Sequence, residues 1–362
     1  MAEGSRSKQS MVVWSSLRMD LVRKVGDSLL ATSDVVSYRE MRAVCHNWRA
    51  AIPKPPPMSW VMLDQEDLAD GEYNYKNPAV ALFLQPSTGR ILRLRVPQLE
   101  DDENILVCTS DGLLVLGGSK DLHPARLLNP FTGDMLAFMA PIPQERRVLT
   151  AVASSSPTLL FSFEDYLDNN SLYVYCADTT SPLCEVQFEG FEDDPFDLKS
   201  LLSYAGHFYT VEYNGGIFKV VGTAPHYHGE LIAKSPANYT DDYFLVESAR
   251  DLLHVCLGHK RVQVFRVDIE RKLLKPVKNI GSQALFLGAR CLSVDAHKLP
   301  SVDANCIYYL NGDSINMYDI RNRKLDHLGR LSLNRPFSIV QTLLDYCWAL
   351  LDICAQVEYL KS

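Results

Sequence analysis

Apolar residues recur every three to four positions from Leu17 to Ile52, then beyond about residue 79 give way to short runs separated by turn residues. The first period is that of helices laid on a core, the second that of strands. Leu17, Leu21, Val25 and Leu29 fall on one face at intervals of four and predict a first helix, which Ser15 or Ser16 can cap. Thr32-Ser33-Asp34 interrupts the pattern with residues that prefer caps and turns. A second helical run follows through Val35, Tyr38, Met41, Val44, Cys45 and Trp48, and Pro53 ends it. Helices this short cannot bury all their apolar faces alone, so part of the surface is expected to be covered by the rest of the chain or by a second protein.

Pro53-Lys54-Pro55-Pro56-Pro57 predicts an extended, semi-rigid spacer. Past it come runs such as ALFLQ, GLLVLGG, TLLFSF, HFYTVEY, LLHVCL and CIYYL. Their connectors, Ser87-Thr88-Gly89, Asp111-Gly112, Thr132-Gly133-Asp134, Asn214-Gly215-Gly216 and Asn311-Gly312-Asp313, carry turn chemistry. Comparable hairpins begin near Ala79, Gly112, Thr158, Gly206, Leu252 and Cys306, most of them about 46 to 54 residues apart, close to the spacing of propeller blades. The expected fold class is therefore α+β multidomain. It has a disordered start (1–13), a helical module (14–52), a Pro-rich linker and lead-in (53–78), an all-β domain (79–335) and a C-terminal segment (336–362) of amphipathic helical character. A β-propeller of five to seven blades is the favoured form; a large β-sandwich or two stacked barrels fit the same runs.

Composition narrows the function. The 47% apolar and 22% charged content is that of a globular protein. The net charge of −8 is uneven: residues 1–54 hold nine Lys/Arg against five Asp/Glu, leaving 27 against 39 beyond. An acidic body argues against nucleic acid as the main partner. No run is long and apolar enough to span a bilayer, and MAEGSRSKQS lacks a signal peptide's apolar stretch, so no membrane partner is expected and the chain reads as intracellular, in the nucleus or cytoplasm. Nine cysteines without a CxxC pair read as free thiols, and the sequons at Asn169 and Asn238 as chance matches.

No nucleophile elbow, P-loop, HExxH or dinucleotide fingerprint is present, so no catalytic residue and no cofactor is expected. His226 and His228 flank Tyr227 as an HxH pair without an assignable third ligand, so no metal is expected either. The acidic clusters Glu100–Glu103, Glu192–Asp194 and Asp241–Asp242 lack the spacing of a calcium loop.

Two stretches carry a more specific signal. WSSLRMDLVRKVGDSLLATSDVVSYREMRAVCHNWRAAI resembles the F-box, most closely in its closing RAVCHNWR. Leu17, Asp20-Leu21-Val22, Val25, Leu29, Asp34-Val35, Arg42, Val44-Cys45 and Trp48-Arg49 stand at that pattern's positions, and Arg18 replaces its usual proline. The resemblance implies docking to the Skp-type adaptor of a cullin-RING ubiquitin ligase, through Leu17, Arg18, Leu21, Val22, Val25, Leu29, Val44, Cys45 and Trp48. Trp48 would either pack the module together or reach the partner. Farther on, CTSDGLLVL, LLNPFTGD, YAGHFYTVEYNGGIFKVV, Ala284 to Gly288 and Asn305 to Tyr308 are similar to plant F-box proteins with a C-terminal kelch-like domain of unknown function. What the resemblance implies is a non-catalytic substrate-recognition subunit, with cullin reached through the adaptor and a target protein held by the β-domain. A propeller-based enzyme or small-molecule receptor, and an F-box-like scaffold that assembles no ligase, remain the alternatives.

Overall fold

The computed structural model describes residues 17–32, 34–53, 60–63, 80–86, 88–96, 103–108, 112–118, 124–141, 146–153, 158–165, 171–190, 198–236, 242–258, 261–331 and 338–348. The chain divides into two compact units, a helical one of Met1–Met58 with Phe131–Gly133, and a strand-built one of Ser59–Pro130 with Asp134–Ser362. Residues 1–13, the caps Ser15 and Ser16, the spacer residues 54–57, the clusters at 100–102 and 192–194, and both sequons lie outside the described residues.

The helical unit holds α1 (Met19–Ala31), α2 (Val35–Ala43) and α3 (His46–Ala51). Asp34 caps α2, its carboxylate accepting the Ser37 backbone N–H at 3.2 Å and the Ser37 hydroxyl at 2.9 Å. Val22, Tyr38, Met41, Trp48, Ala51 and Ile52 form the core. A Cβ on Gly26 would stand 3.2 Å from Ile52 and 3.5 Å from Tyr38, so α1 approaches its neighbours at the one residue without a side chain. This corrects the expected stripe. Val22 and Gly26 are the buried positions of α1, while Leu21 and Val25 turn outward.

The strand-built unit is a run of antiparallel meanders up to the last, in which one neighbouring pair of strands is parallel. The first sheet is β1 (Val61–Leu63), β2 (Val80–Gln85) and β3 (Arg90–Arg95). The second is β4 (Glu103–Cys108), β5 (Leu114–Gly118), β6 (Pro124–Leu128) and β7 (Met135–Pro141). A third meander, β8 (Arg146–Ala153), β9 (Thr158–Asp165), β10 (Ser171–Asp178) and β11 (Cys184–Phe188), joins a fourth, β12 (Leu198–Tyr204), β13 (His207–Glu212), β14 (Gly216–Thr223) and β15 (His226–Lys234). Their seam is parallel, with Val186 to Phe188 of β11 beside Tyr227 to Gly229 of β15. The fifth is β16 (Asp242–Ser248), β17 (Asp251–Gly258), β18 (Arg261–Asp268) and β19 (Leu273–Val277). The sixth holds β20 (Gln283–Leu287), β21 (Leu292–Asp295), β22 (Cys306–Asn311), β23 (Ser314–Asp319) and β24 (Lys324–Arg330), followed by α4 (Ile339–Trp348).

Each meander packs on the next. Val115 and Phe138 meet Phe161 and Ala177 between the second and third. Leu160 and Val174 meet Phe208 and Phe218 between the third and fourth. Tyr209 and Ile217 meet Tyr243 and Phe265 between the fourth and fifth, and Val246 and Val255 meet Leu285 and Ile307 between the fifth and sixth. The ring closes where Phe286 and Tyr308 share a core with Val61 and Leu84, and where the Trp60 carbonyl lies against Gly112. Among the described residues six blades follow, within the expected five to seven. Successive residues of a middle strand face opposite neighbours, as Leu160 and Phe161 or Leu252 and Leu253 do. Such strands are buried on both faces and therefore read as continuous apolar runs. That is why the hairpin starts visible in the sequence mark β2, β5, β9, β13, β17 and β22, one per blade.

Two boundaries move. Val61–Leu63, inside the expected lead-in, pairs with β2 as a strand of the first blade. α4, inside the expected C-terminal segment, puts Val340, Leu343, Leu344, Tyr346 and Cys347 into the core that closes the ring.

Candidate functional site

The F-box-like positions separate into two groups. Asp34, Arg42 and Trp48 hold the bundle: Asp34 caps α2, Arg42 donates to the Ile52 carbonyl, and Trp48 sits in the core. Arg23 donates to the Ala51 carbonyl at 3.4 Å, and Arg49 to the Arg42 carbonyl at 3.3 Å. These arginines satisfy carbonyls that helix ends leave unpaired. Tyr38 adds a 2.7 Å hydrogen bond from its hydroxyl to the Pro53 carbonyl, tying α2 to the chain leaving α3.

The second group faces water. Leu21, Val25 and Val44 are 42, 47 and 50% exposed, high values for aliphatic side chains in a small bundle. Leu17, Leu29 and Cys45 are partly buried against the core. Val22 is fully buried and Trp48 nearly so, so these two cannot present their side chains to an adaptor while the bundle is closed. Leu21 and Val25 lie one turn apart on α1, and Val44 follows α2.

Arg18 precedes α1 with φ −59° and ψ 134°. Proline is fixed at that φ, so the backbone keeps the shape that proline would impose. The Arg18 carbonyl accepts the Leu21 and Val22 N–H groups at 3.0 and 3.1 Å and starts the helix. Its guanidinium forks onto Asp20, at 3.1 and 3.0 Å, as an exposed pair of small energetic value.

The propeller offers two arrangements that could do chemistry. His226 and His228 lie on one face of β15, both exposed, rather than in a loop; among the described residues no group of three or more His, Cys, Asp or Glu side chains could hold a metal ion. Ser235 Oγ, Cys256 Sγ and His254 Nε2 form a chain at 3.2 and 3.3 Å that looks like a nucleophile beside a base. All three are buried. His254 stacks on Tyr243 at 5.6 Å and 16°, with Phe265 at 6.4 Å, and burial pushes its pKa down to about 4. A neutral imidazole clamped between rings in the core between the fourth and fifth blades has no open face toward a substrate. Its role is packing. Sequence reasoning passed over this trio, although LLHVC places His254 and Cys256 two apart on one face of a buried strand.

No helix among the described residues is long and apolar enough to cross a membrane. No curated protein sequence matches the chain. Among solved structures, the beta-propeller domain of Cps50 (Swd1) from Myceliophteria thermophila is 12% identical, with 76% of this chain and 91% of that one covered at a TM-score of 0.39. Oligogalacturonate lyase from Vibrio parahaemolyticus is also 12% identical, with 79% and 83% covered and a TM-score of 0.39. A protein of unknown function from Bacteroides caccae is 13% identical, with 72% and 82% covered and a TM-score of 0.32. The sequence itself matches the family described as KIB1-4 beta-propeller over residues 83–327. Since that match spans more than half of the chain and reaches all six blades, the chain belongs to the KIB1-4 beta-propeller family.

Proposed function

We propose that the chain is a non-catalytic adaptor of a Skp-cullin-F-box ubiquitin ligase: the helical unit docks a Skp-type adaptor and the propeller holds a target protein. One observation carries this reading. The F-box-like residues that the bundle does not need for itself, Leu21, Val25 and Val44, are the ones left exposed, while Asp34, Arg42 and Trp48 are consumed in holding the bundle together. Apolar side chains gain roughly 1.5–3 kcal/mol each on full burial, so a few such anchors supply a large part of an interface's affinity. Arg18 does not stand against docking, because its backbone already takes the conformation that proline would fix.

The test is affinity purification of the intact protein beside a version starting after Pro57. Recovery of a Skp-type adaptor and cullin with the intact protein only supports the reading. Their absence from both leaves an F-box-like scaffold without a ligase.

A further inference from the structure

The ladder between β10 and β11 has two registered pairs, Tyr175 opposite Glu185 and Cys176 opposite Cys184. Directly opposed residues of antiparallel strands point to the same face, with Cβ atoms about 4.5–5.5 Å apart. Cys176 accordingly shares a core with Val186 and Phe188, which alternate with Cys184's neighbours on β11. Both cysteines are free thiols. A disulfide needs Cβ atoms about 3.5–4.5 Å apart, so an approach of about 1 Å closes the bond. Cys184 can make that approach. It is the first residue of β11 and leaves a turn shaped by Asp178, whose carboxylate accepts the Thr180 and Ser181 N–H groups at 2.7 and 2.6 Å. Its thiol donates to the Pro182 carbonyl at 3.2 Å.

We propose that Cys176 and Cys184 form a reversible disulfide site, closed by a peroxide, that locks β11 onto β10 beside the seam between the third and fourth blades. The Cys184 thiolate attacks one oxygen of hydrogen peroxide and the O–O bond breaks; the departing hydroxide takes up the proton that Cys184 lost, giving water and a sulfenic acid. The Cys176 sulfur then attacks the Cys184 sulfur. The S–S bond forms, the S–O bond breaks, and hydroxide leaves with the Cys176 proton as a second water. Two thiols lose two electrons to one peroxide, which becomes two waters. Burial pushes both thiols upward in pKa, Cys176 to about 12 against the opposing pull of its hydrogen bond with Tyr227 of β15, and Asp178 also pushes both upward, so oxidation accelerates as pH rises. The consequence is mechanical. β11 is the strand through which the third meander pairs with the fourth, so fixing its start stiffens that seam.

No Lys or Arg lies between Val148 and Lys199, so trypsin leaves both cysteines, and no others, on one peptide. The intact protein is treated with hydrogen peroxide, cleared with catalase, unfolded in the presence of iodoacetamide, digested and weighed. The disulfide predicts a peptide lighter than the dithiol by two hydrogens that takes no alkyl group, and that takes two after treatment with dithiothreitol. Cys184→Ser should leave Cys176 fully alkylatable after the same treatment. A wild-type peptide that keeps two alkylatable thiols, or that gains oxygens on either sulfur without losing two hydrogens, overturns the proposal.

Discussion

The Cys347 carbonyl accepts the Arg290 backbone N–H at 2.9 Å and lies 2.4 Å from where a Cβ on Gly288 would stand. The turn after β20 thus grips the last turn of α4 backbone to backbone. Arg290 completes the grip, its guanidinium 4.4 Å from the centre of the Tyr346 ring. Gly288→Ala must push α4 off the sixth blade, because the atom it meets is backbone and cannot swing aside. A loss of about 1–3 kcal/mol is expected, read as a lower denaturation midpoint. An unchanged midpoint would mean that α4 contributes nothing to ring closure.

Phe286 and Tyr308 stack at 4.8 Å and 8°, both fully buried where the last blade meets the first. Phe286→Ala removes the centre of that packing and should cost about 3–5 kcal/mol. Phe286→Leu, which keeps most of the volume, should recover most of it. Equal losses for the two variants in guanidinium titrations would place the closing contact elsewhere.

Tyr38→Phe deletes only the hydroxyl that donates to the Pro53 carbonyl. The expected cost is about 1 kcal/mol. Loss of helical circular dichroism on heating should move to lower temperature while the β signal does not. A shift of both together would count against an independently melting helical unit.

His254 gives the propeller a defined acid response. Burial lowers its folded pKa from 6.5 to about 4, so between those values the unfolded chain binds a proton that the folded one does not. Stability is therefore full above about pH 6.5, falls as pH drops toward 4, and levels off below; the contribution is roughly 3 kcal/mol. His254→Phe, which can keep the stack on Tyr243, should flatten that part of the stability curve measured by urea titration at pH 7 and pH 5. The same slope in the variant would assign the response to other groups.

The sequence carried the architecture better than it carried the faces. Hairpin starts at Ala79, Gly112, Thr158, Gly206, Leu252 and Cys306 were legible because a propeller's middle strands are buried on both sides and so cannot hide polar residues on a solvent face. Turn glycines were legible for a backbone reason: Gly89, Gly133, Gly215 and Gly312 all have positive φ. The orientation of α1 was not. Spacing of four fits Leu17-Leu21-Val25-Leu29 and equally Val22-Gly26-Leu30, and only the approach of Ile52 and Tyr38 to Gly26 decides between them. α4 and β1 were set outside the β-domain, whereas the core they share with Phe286 and Tyr308 joins positions far apart in sequence. Cys256 reads as a free thiol and His254 carries no sequence signal of its own; that their polar atoms meet one another in the core follows only from the fold.

Docking through α1 is measured most directly by calorimetric titration of a purified Skp-type adaptor into the intact protein and into a Leu21→Asp/Val25→Asp variant. Both side chains are largely exposed, so the variant should melt as the native protein does. Saturable binding by the native protein, weakened at least tenfold in the variant, is the expected result. Equal binding by both proteins, or none by the native one, would contradict it.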